Sequence, residues 1–248
     1  MLSAVIITKN EEKNIEKCID ALIDWVDEII IADSNSTDNT INILKNFNSS
    51  KIKIHQVTWL GFAKTKNQAI ESAKGDWILS IDADEIVTAE LKNEILNKIA
   101  SPNNSDGYYI PRLLFFCGKP VKYGGTYPDY QLRLFKKNKG EFEDIPVHES
   151  VKINGKTQKI KNHLLHFSYN TMFEYWERFN KYTELDAQKK LQQGKKFTFN
   201  KIFILHFELF KRLIIKRGLL DGFPGIFYHV FSAVSSLVKY AKLWELQK

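Results

Sequence analysis

WILSIDADE, residues 77–85, is an apolar run of strand formers that ends in two aspartates one residue apart, with a glutamate directly behind. Alternate side chains of a strand point the same way, so Asp82 and Asp84 are expected to project together while Ala83 turns away. Like charges aimed at one point repel, and the arrangement is tolerable mainly when positive charge sits between or in front of them. A hard divalent cation suits that place. Magnesium or manganese accepts carboxylate oxygen and completes its shell with water and phosphate oxygens. Alone, however, a D-x-D is more often a solvated acidic turn, and the surrounding sequence has to decide.

Upstream, short β-rich runs alternate with helical patterns. AVIIT (4–8) precedes Ile15, Cys18, Ile19, Leu22 and Val26 at helical spacing, and EIIIA (28–32) follows. A helix over 37–47, a strand KIHQV (53–57), a helix over 63–73 and the strand ending at Asp82 continue the pattern. Strands interleaved with helices predict a mostly parallel sheet covered on both faces, which binds ligands at the carboxyl ends of its strands. Those ends carry TKNEE, DSNSTDNT and DADE, so three polar clusters are predicted to converge on one edge.

Downstream, Thr88 is placed to cap a helix carrying Leu91, Ile95 and Ile99. After SPNNSDG (101–107) the segments YYIPRLLFF, YQLRLFKK, VHESVKI and KIKNHLLHF read as strands, a mixed extension that would supply an acceptor side. From Thr171 the chain is helical and aromatic, and Phe173, Trp176, Phe179 and Tyr182, three residues apart, are expected to form a packed helix face. The organisation read from this is 1–100, an α/β half; 101–170, a β-rich half of the same domain; and 171–248, a helical, aromatic and basic region.

The 248 residues, 44% hydrophobic, are enough to bury a substantial core. A net charge of +7 permits nucleic acid, anionic lipid or phosphorylated partners without choosing among them, and no nucleic-acid recognition motif accompanies the charge. Two cysteines, Cys18 and Cys117, make neither a disulfide framework nor a zinc site, and are expected to be reduced and structural. MLSAVIITKN lacks a basic n-region and a cleavage site, so a cytoplasmic location is expected. Leu219–Val238 approaches the roughly 20 residues of a membrane span, but Asp221, Pro224 and His229 interrupt it. Association with the membrane surface is the preferred reading, with Lys211, Arg212, Lys216, Arg217, Lys239 and Lys242 meeting anionic headgroups; packing against the rest of the chain is its alternative.

No G-x-G-x-x-G or Walker loop follows the first strand. The ordered set Thr8-Lys9-Asn10-Glu11, Asp33-Ser34-Asn35-Ser36-Thr37-Asp38 and Asp82-Ala83-Asp84 instead resembles the family 2 inverting glycosyltransferases of GT-A fold. Ser34 and Asn35 stand where that family commonly has D-G, which leaves open which neighbour of Asp33 reads the base. KTKNQA (64–69) is similar to the family's A-x-x-R-N-x-A helix start, with Lys66 in the arginine position. TYPDYQLRLFKK (126–137), IPVHESV (145–151) and RGLLDGFPG (217–225) resemble the subgroup that extends the lipopolysaccharide inner core.

The resemblance implies an α/β, Rossmann-like GT-A sheet with a mixed β extension and a helical C-terminal region. It implies a UDP-sugar donor, a lipid-linked oligosaccharide acceptor, Mn2+ or Mg2+, and a peripheral place on the inner face of the inner membrane. Asp129 would be the general base, with Glu149 and Glu85 as alternatives. Asp84 would contact the metal directly and Asp82 the ribose or the metal shell, with His148 adding to the metal site. Thr8, Asn10, Glu11, Asp33, Lys66, Asn67, Gln131, Arg133 and Glu149 would touch substrate, Arg133 through its fork to a diphosphate or an acceptor phosphate. His163 and His166 receive no chemistry. Two other classes compete: a sugar nucleotidyltransferase, which normally brings a glycine-rich phosphate loop, and a non-catalytic membrane-surface binding protein built on the basic tail.

Overall fold

The structure, a computed structural model, describes residues 1–101, 105–143 and 150–248. It divides into two compact units, residues 1–112 with 129–166, and residues 113–128 with 167–248.

The first unit is built on four parallel strands, β1 (Leu2–Thr8), β2 (Glu28–Asp33), β3 (Ile52–Gln56) and β4 (Trp77–Asp82), in the order β3-β2-β1-β4. Three helices connect them: α1 (Ile15–Asp20), α2 (Thr40–Asn46) and α3 (Phe62–Ser72). Strand alternation divides their apolar side chains between two cores. Ala4, Ile6, Ile29, Ile31, Leu79 and Ile81 meet Ile15, Cys18, Ile19 and Leu22 on one face. Val5, Ile30, Ala32 and Ile78 meet Ala63, Ala69 and Ile70 of α3 on the other. Burial on both faces is why these strands read as continuous apolar runs.

After β4 come β5 (Glu85–Val87) and α4 (Ala89–Ala100), whose Leu91 N–H donates to the Thr88 hydroxyl at 3.2 Å, the cap the sequence predicts. The remaining strands are β6 (Gly107–Phe116), β7 (Lys119–Val121), β8 (Asp129–Lys136), β9 (Gly140–Glu143), β10 (Ser150–Ile153), β11 (Thr157–Lys159) and β12 (Leu164–Tyr169). The sheet continues from β4 through β8, β6, β12 and β5, with β4–β8, β8–β6 and β12–β5 antiparallel. The expected strand over 159–167 breaks in two. Its cause is Glu94 of α4, whose carboxylate accepts the backbone N–H of Lys161 at 3.0 Å and of Asn162 at 2.9 Å and so removes both from ladder pairing. The helix expected from Thr37 begins at Thr40, because Asp38 accepts both the Thr40 N–H and its hydroxyl and holds the preceding residues in a turn.

In the second unit the end of β6 pairs with β7 as a hairpin. The helices α5 (Met172–Gln192), α6 (Ile204–Phe210) and α7 (Gly222–Glu245) follow, with α5 and α6 each packed on α7. Phe116, Val121 and Tyr175 form the buried centre, ringed by Tyr169, Phe179, Tyr228 and Phe231. Here the expected packed face of α5 is corrected: Phe173, Trp176 and Tyr182 are exposed, and the buried residues are Tyr175, Thr183 and Ala187. A three-residue step falls about 60° short of a full turn, so four such residues sweep around the helix, whereas steps of four stay close to one face.

RGLLDGFPG acquires a structural meaning in this unit. The buried imidazole of His229 lies with Nε2 2.8 Å from Asp221 Oδ2, and Asp221 also accepts the backbone N–H groups of Lys122 (2.8 Å) and Tyr123 (2.9 Å). A Cβ on Gly124 would stand 2.0 Å from the His229 ring, and one on Gly218 2.6 Å from it. Glycine is required at both positions by close approach. Among the described residues no helix is long and apolar enough to cross a membrane.

Candidate active site at the carboxyl edge of the sheet

The ends of β1, β2 and β4 meet as neighbours, since Thr8 pairs with Asp33 and Ile7 with Asp82. Two turns at this edge are tied to each other. Asn10, with a positive φ of 57°, accepts the Thr37 N–H at 2.8 Å and donates its own N–H to Ser36 Oγ at 2.9 Å. The Glu11 N–H donates to Thr40 Oγ1 at 2.8 Å, and the Glu11 carboxylate accepts Asn14 Nδ2 at 2.8 Å. Fully buried Asp33 accepts both the N–H and the hydroxyl of Ser36, which folds DSNS into a closed turn. These contacts give Asn10, Glu11 and Asp33 a framework role, as turn residues, beside the substrate contact expected of them. Two hydroxyls at the same edge, Thr8 Oγ1 and Ser34 Oγ, are buried without a hydrogen-bond partner. A buried polar atom left unpaired is costly, and one at a strand end is a place for a ligand to satisfy.

β4 stops at Asp82; residues 83–84 form a turn and β5 restarts at Glu85, so strand alternation does not govern Asp84. The two carboxylates take different partners. Asp82 Oδ1 meets Lys66 Nζ at 2.9 Å and Oδ2 meets Arg133 Nη2. Burial would push the Asp82 carboxyl up, but Arg133 and Lys66 hold it well below the usual carboxylate range. Asp84 Oδ2 instead lies 3.5 Å from His166 Nε2, brought there because β12 pairs with β5 and sets His166 opposite Glu85.

Glu85, fully buried, ties the site together. Its Oε1 accepts Arg133 Nη2 at 2.6 Å and Arg112 Nη1 at 3.3 Å, and its Oε2 accepts the Asp82 N–H at 2.9 Å. Fully buried, Glu85 is not placed to collect a substrate proton. Arg112 reaches on to Asp129, its cross-strand partner, donating from Nε (2.9 Å) and Nη2 (2.6 Å) to Oδ2. Burial and Arg133 oppose the charge on Arg112, yet Glu85 and Asp129 raise its pKa above the ordinary value. Gln131 Nε2 donates to Asp129 Oδ1 at 2.8 Å. The Asp129 side chain is nonetheless 40% exposed. The network therefore runs Lys66, Asp82, Arg133, Glu85, Arg112, Asp129.

Several expectations change against this geometry. Arg133 is buried on Asp82 and Glu85 and is not open to a diphosphate. Asn67 is occupied by the backbone of Phe142, accepting its N–H and donating to its carbonyl, both at 2.9 Å. His148 and Glu149 lie outside the described residues. Arg112 and His166 were missed by sequence reasoning; the only signal for Arg112 was a charge inside the apolar run YYIPRLLFF. Cys18 fits the expectation of an inert thiol: burial, then Glu85, Asp84 and Asp82, push it up.

The side chains fit a divalent cation at Asp84 rather than at Asp82, whose oxygens already face two cations. Among the described residues there is no cluster of three or more His, Cys, Asp or Glu that could cage a metal. Asp84 and His166 would be two protein donors, one carboxylate and one imidazole, which suits an ion that takes its other ligands from phosphate oxygens and water.

Comparison with known proteins gives the family and the fold. The family model described as glycosyl transferase family 2 matches residues 3–151. A lipopolysaccharide core biosynthesis glycosyltransferase, LpsC of Rhizobium meliloti, is 30% identical over 98% of this chain and 92% of its own length. An uncharacterized glycosyltransferase of Rickettsia typhi is 30% identical over 99% of this chain and 87% of its own. Among solved structures, the mannosyltransferase PcManGT of Pyrobaculum calidifontis, in complex with GDP-Man and Mn2+, superposes with a TM-score of 0.58 at 14% identity, covering 100% of this chain and 88% of that one. Residues 1–349 of S. aureus TarS, in complex with UDP, give a TM-score of 0.54 at 15% identity over 99% and 90%. At these identities the structural likeness establishes the fold, GT-A.

Proposed function

Since the chain belongs to glycosyl transferase family 2, we propose that it is a metal-dependent inverting hexosyltransferase. It would carry a hexose, with glucose the first donor to test, from a UDP-sugar to the core oligosaccharide of a lipid-linked acceptor. On this reading it works at the inner face of the inner membrane, with residues 1–100 holding the nucleotide sugar, 101–170 forming the acceptor side of the same domain, and 171–248 making the helical remainder. LpsC, named for lipopolysaccharide core biosynthesis, supports the acceptor class, and TarS with UDP supports the nucleotide.

One observation carries the reading: an accessible carboxylate, Asp129, oriented from both sides by Arg112 and Gln131 at the carboxyl edge. An inverting transfer needs a base to remove the proton of the acceptor hydroxyl as it attacks the anomeric carbon from the face opposite the diphosphate. Arg112 takes Oδ2 with two donors and Gln131 takes one lone pair of Oδ1, which leaves Oδ1 a lone pair for that proton. Thr8 and Ser34 would offer their unpartnered hydroxyls to the nucleoside, beside Asp33. Asp84 and His166 would hold the cation, with Asp82 beside them balanced by Lys66 and Arg133. A bound Mn2+ or Mg2+ supplies positive charge to the leaving diphosphate.

The test is a thermal-shift screen of sugar nucleotides with and without Mn2+, followed by product analysis, since a ligand that binds only the native form raises its melting temperature. UDP-glucose with Mn2+ should raise the midpoint, and UDP should appear when an inner-core acceptor is added. Asp129→Asn should lower kcat by roughly 100- to 10,000-fold with donor affinity retained. Pyrophosphate in place of UDP would make the protein a nucleotidyltransferase, and full turnover by Asp129→Asn would remove that residue from the mechanism.

A further inference from the structure

We infer that residues 199–223 form a docking face for an anionic lipid bilayer, lying in the headgroup region and entered by side chains of the α6 segment. This deepens the membrane-side reading above by naming the surface and the lipid class, and it does not depend on the chemistry proposed there.

The first observation is an exposed apolar stripe. Phe199, Phe203, Phe207, Phe210 and Ile214 are 74, 65, 60, 57 and 53% exposed. They recur at intervals of three and four residues along one continuous stretch of helical turns, 199–215, which is the spacing of a single helix face. α6 packs on α7, so the segment already has its protein partner on the other side. In a water-facing helix the outward side is polar; here it carries phenylalanine. Leu220 and Phe223, 63 and 74% exposed, add apolar surface at the start of α7. Large apolar side chains exposed along one helix face mark an interaction site.

The second observation is charge. Residues 195–248 contain ten of the 36 Lys and Arg but only three of the 29 Asp and Glu, so the whole net charge of +7 lies there and residues 1–194 are neutral in sum. Two of those three acids are already compensated. Glu208 is paired with Lys211 and Arg212, and Asp221 is held by His229 and two backbone amides. Lys195, Lys196, Lys216 and Arg217 are exposed. Of the six cations named from the sequence, Lys211 and Arg212 serve Glu208 and Lys242 serves Glu184 and Asn180, whereas Lys216 and Arg217 stay exposed and are joined by Lys195 and Lys196.

Apolar side chains presented beside uncompensated positive charge match a surface that is anionic outside and hydrocarbon beneath. Among the described residues no helix is long and apolar enough to cross a membrane, and the docking face inferred is one that lies on the bilayer.

Co-sedimentation of the full chain with vesicles of three parts phosphatidylethanolamine to one part phosphatidylglycerol, against phosphatidylcholine alone, tests this. Wild type should partition to the anionic vesicles and be released by high salt. The triple variant Phe203→Ser, Phe207→Ser, Phe210→Ser should lose roughly a hundredfold in partitioning. Lys195→Glu with Lys196→Glu should lose at least about tenfold on anionic vesicles only. These side chains are exposed, so unchanged melting is expected for both variants. Wild-type partitioning by the triple variant overturns the inference; so does a concentration-dependent dimer, abolished by that variant, in a chain that ignores vesicles. UDP binding is measured in parallel. Vesicle binding without UDP binding leaves the docking face standing and removes the UDP-sugar donor, and the reverse removes the docking face alone.

Discussion

Each unit buries carboxylates, and the two meet the cost differently. In the first, Asp82 and Glu85 are answered by full cations, Lys66, Arg133 and Arg112, in a chain that ends at partly exposed Asp129. In the second, Asp221 is answered by two backbone N–H groups and an imidazole, inside a space that glycines keep open. Buried ion pairs seldom gain stability over apolar packing, so a run of them is retained for something else, and perturbed carboxylates at a sheet edge are where catalytic and binding groups gather. The directional, nearly neutral solution around Asp221 is what a scaffold requires. On the proposed function the first network is the working machinery, while the second braces the turn at 122–125.

Removing one cation should expose that contrast most strongly. Arg133→Met leaves Asp82 and Glu85 facing each other across a gap that Lys66 and Arg112 fill only in part, and should cost about 3–5 kcal/mol in urea unfolding. If the variant is as stable as wild type, the network is not charge-compensated in the way the distances suggest.

Glu28 is an intermediate case, a buried carboxylate served by one lysine, one hydroxyl and one amide. Burial pushes its carboxyl up, but Lys53, Ser3 and the Lys74 N–H overcome this and bring it down to about 2. A depressed carboxyl contributes stability that is present above the unfolded value, near 4.5, and lost as pH falls toward 2. Glu28→Gln should therefore cost about 3 kcal/mol at neutral pH, with the two melting curves converging between pH 5 and 2. A gap that stays constant across that window would show that packing, not charge, holds the site.

Much of this was legible in the chain. The four parallel strands follow from β-rich runs separated by helical spacing, and the carboxyl edge follows from where their polar clusters fall. Asp129 came from resemblance, and the structure gives it oriented partners. What stayed illegible were pairings across long separations: nothing local says that Arg112 will stand opposite Asp129, or that β12 will carry His166 to Asp84. Helical phase was misread for the opposite reason. The aromatic residues of α5 are conspicuous in sequence, and the quieter Thr183 and Ala187 are the ones that pack.

Arg112 offers a smaller test of the same contrast. Arg112→Lys keeps the charge but loses the fork that places two donors on Asp129 Oδ2. About a tenfold fall in kcat is expected, with KM for the donor unchanged, since orientation and not binding is disturbed. An equal loss in donor affinity would instead place Arg112 in the nucleotide pocket.

The brace should respond to pH in its own way, with the smallest effect. His229 Nδ1 is buried without a partner while Nε2 faces Asp221. With Nε2–H donating to the carboxylate, the bare Nδ1 is tolerable only while the ring is neutral, because a proton there would have no acceptor. Burial accordingly lowers the His229 pKa below 6.5, with Arg212 acting the same way and Asp221 opposing. A histidine whose folded pKa is depressed lets the unfolded chain bind the extra proton, so stability is full above about 6.5 and declines as pH falls beneath it. Melting followed from pH 7.5 to 5.5 should show this shallow loss in wild type and a flatter profile in His229→Gln. Stability that rises over the same interval would mean the imidazole is charged when folded, and that Asp221 is held by a cation after all, as Asp82 is.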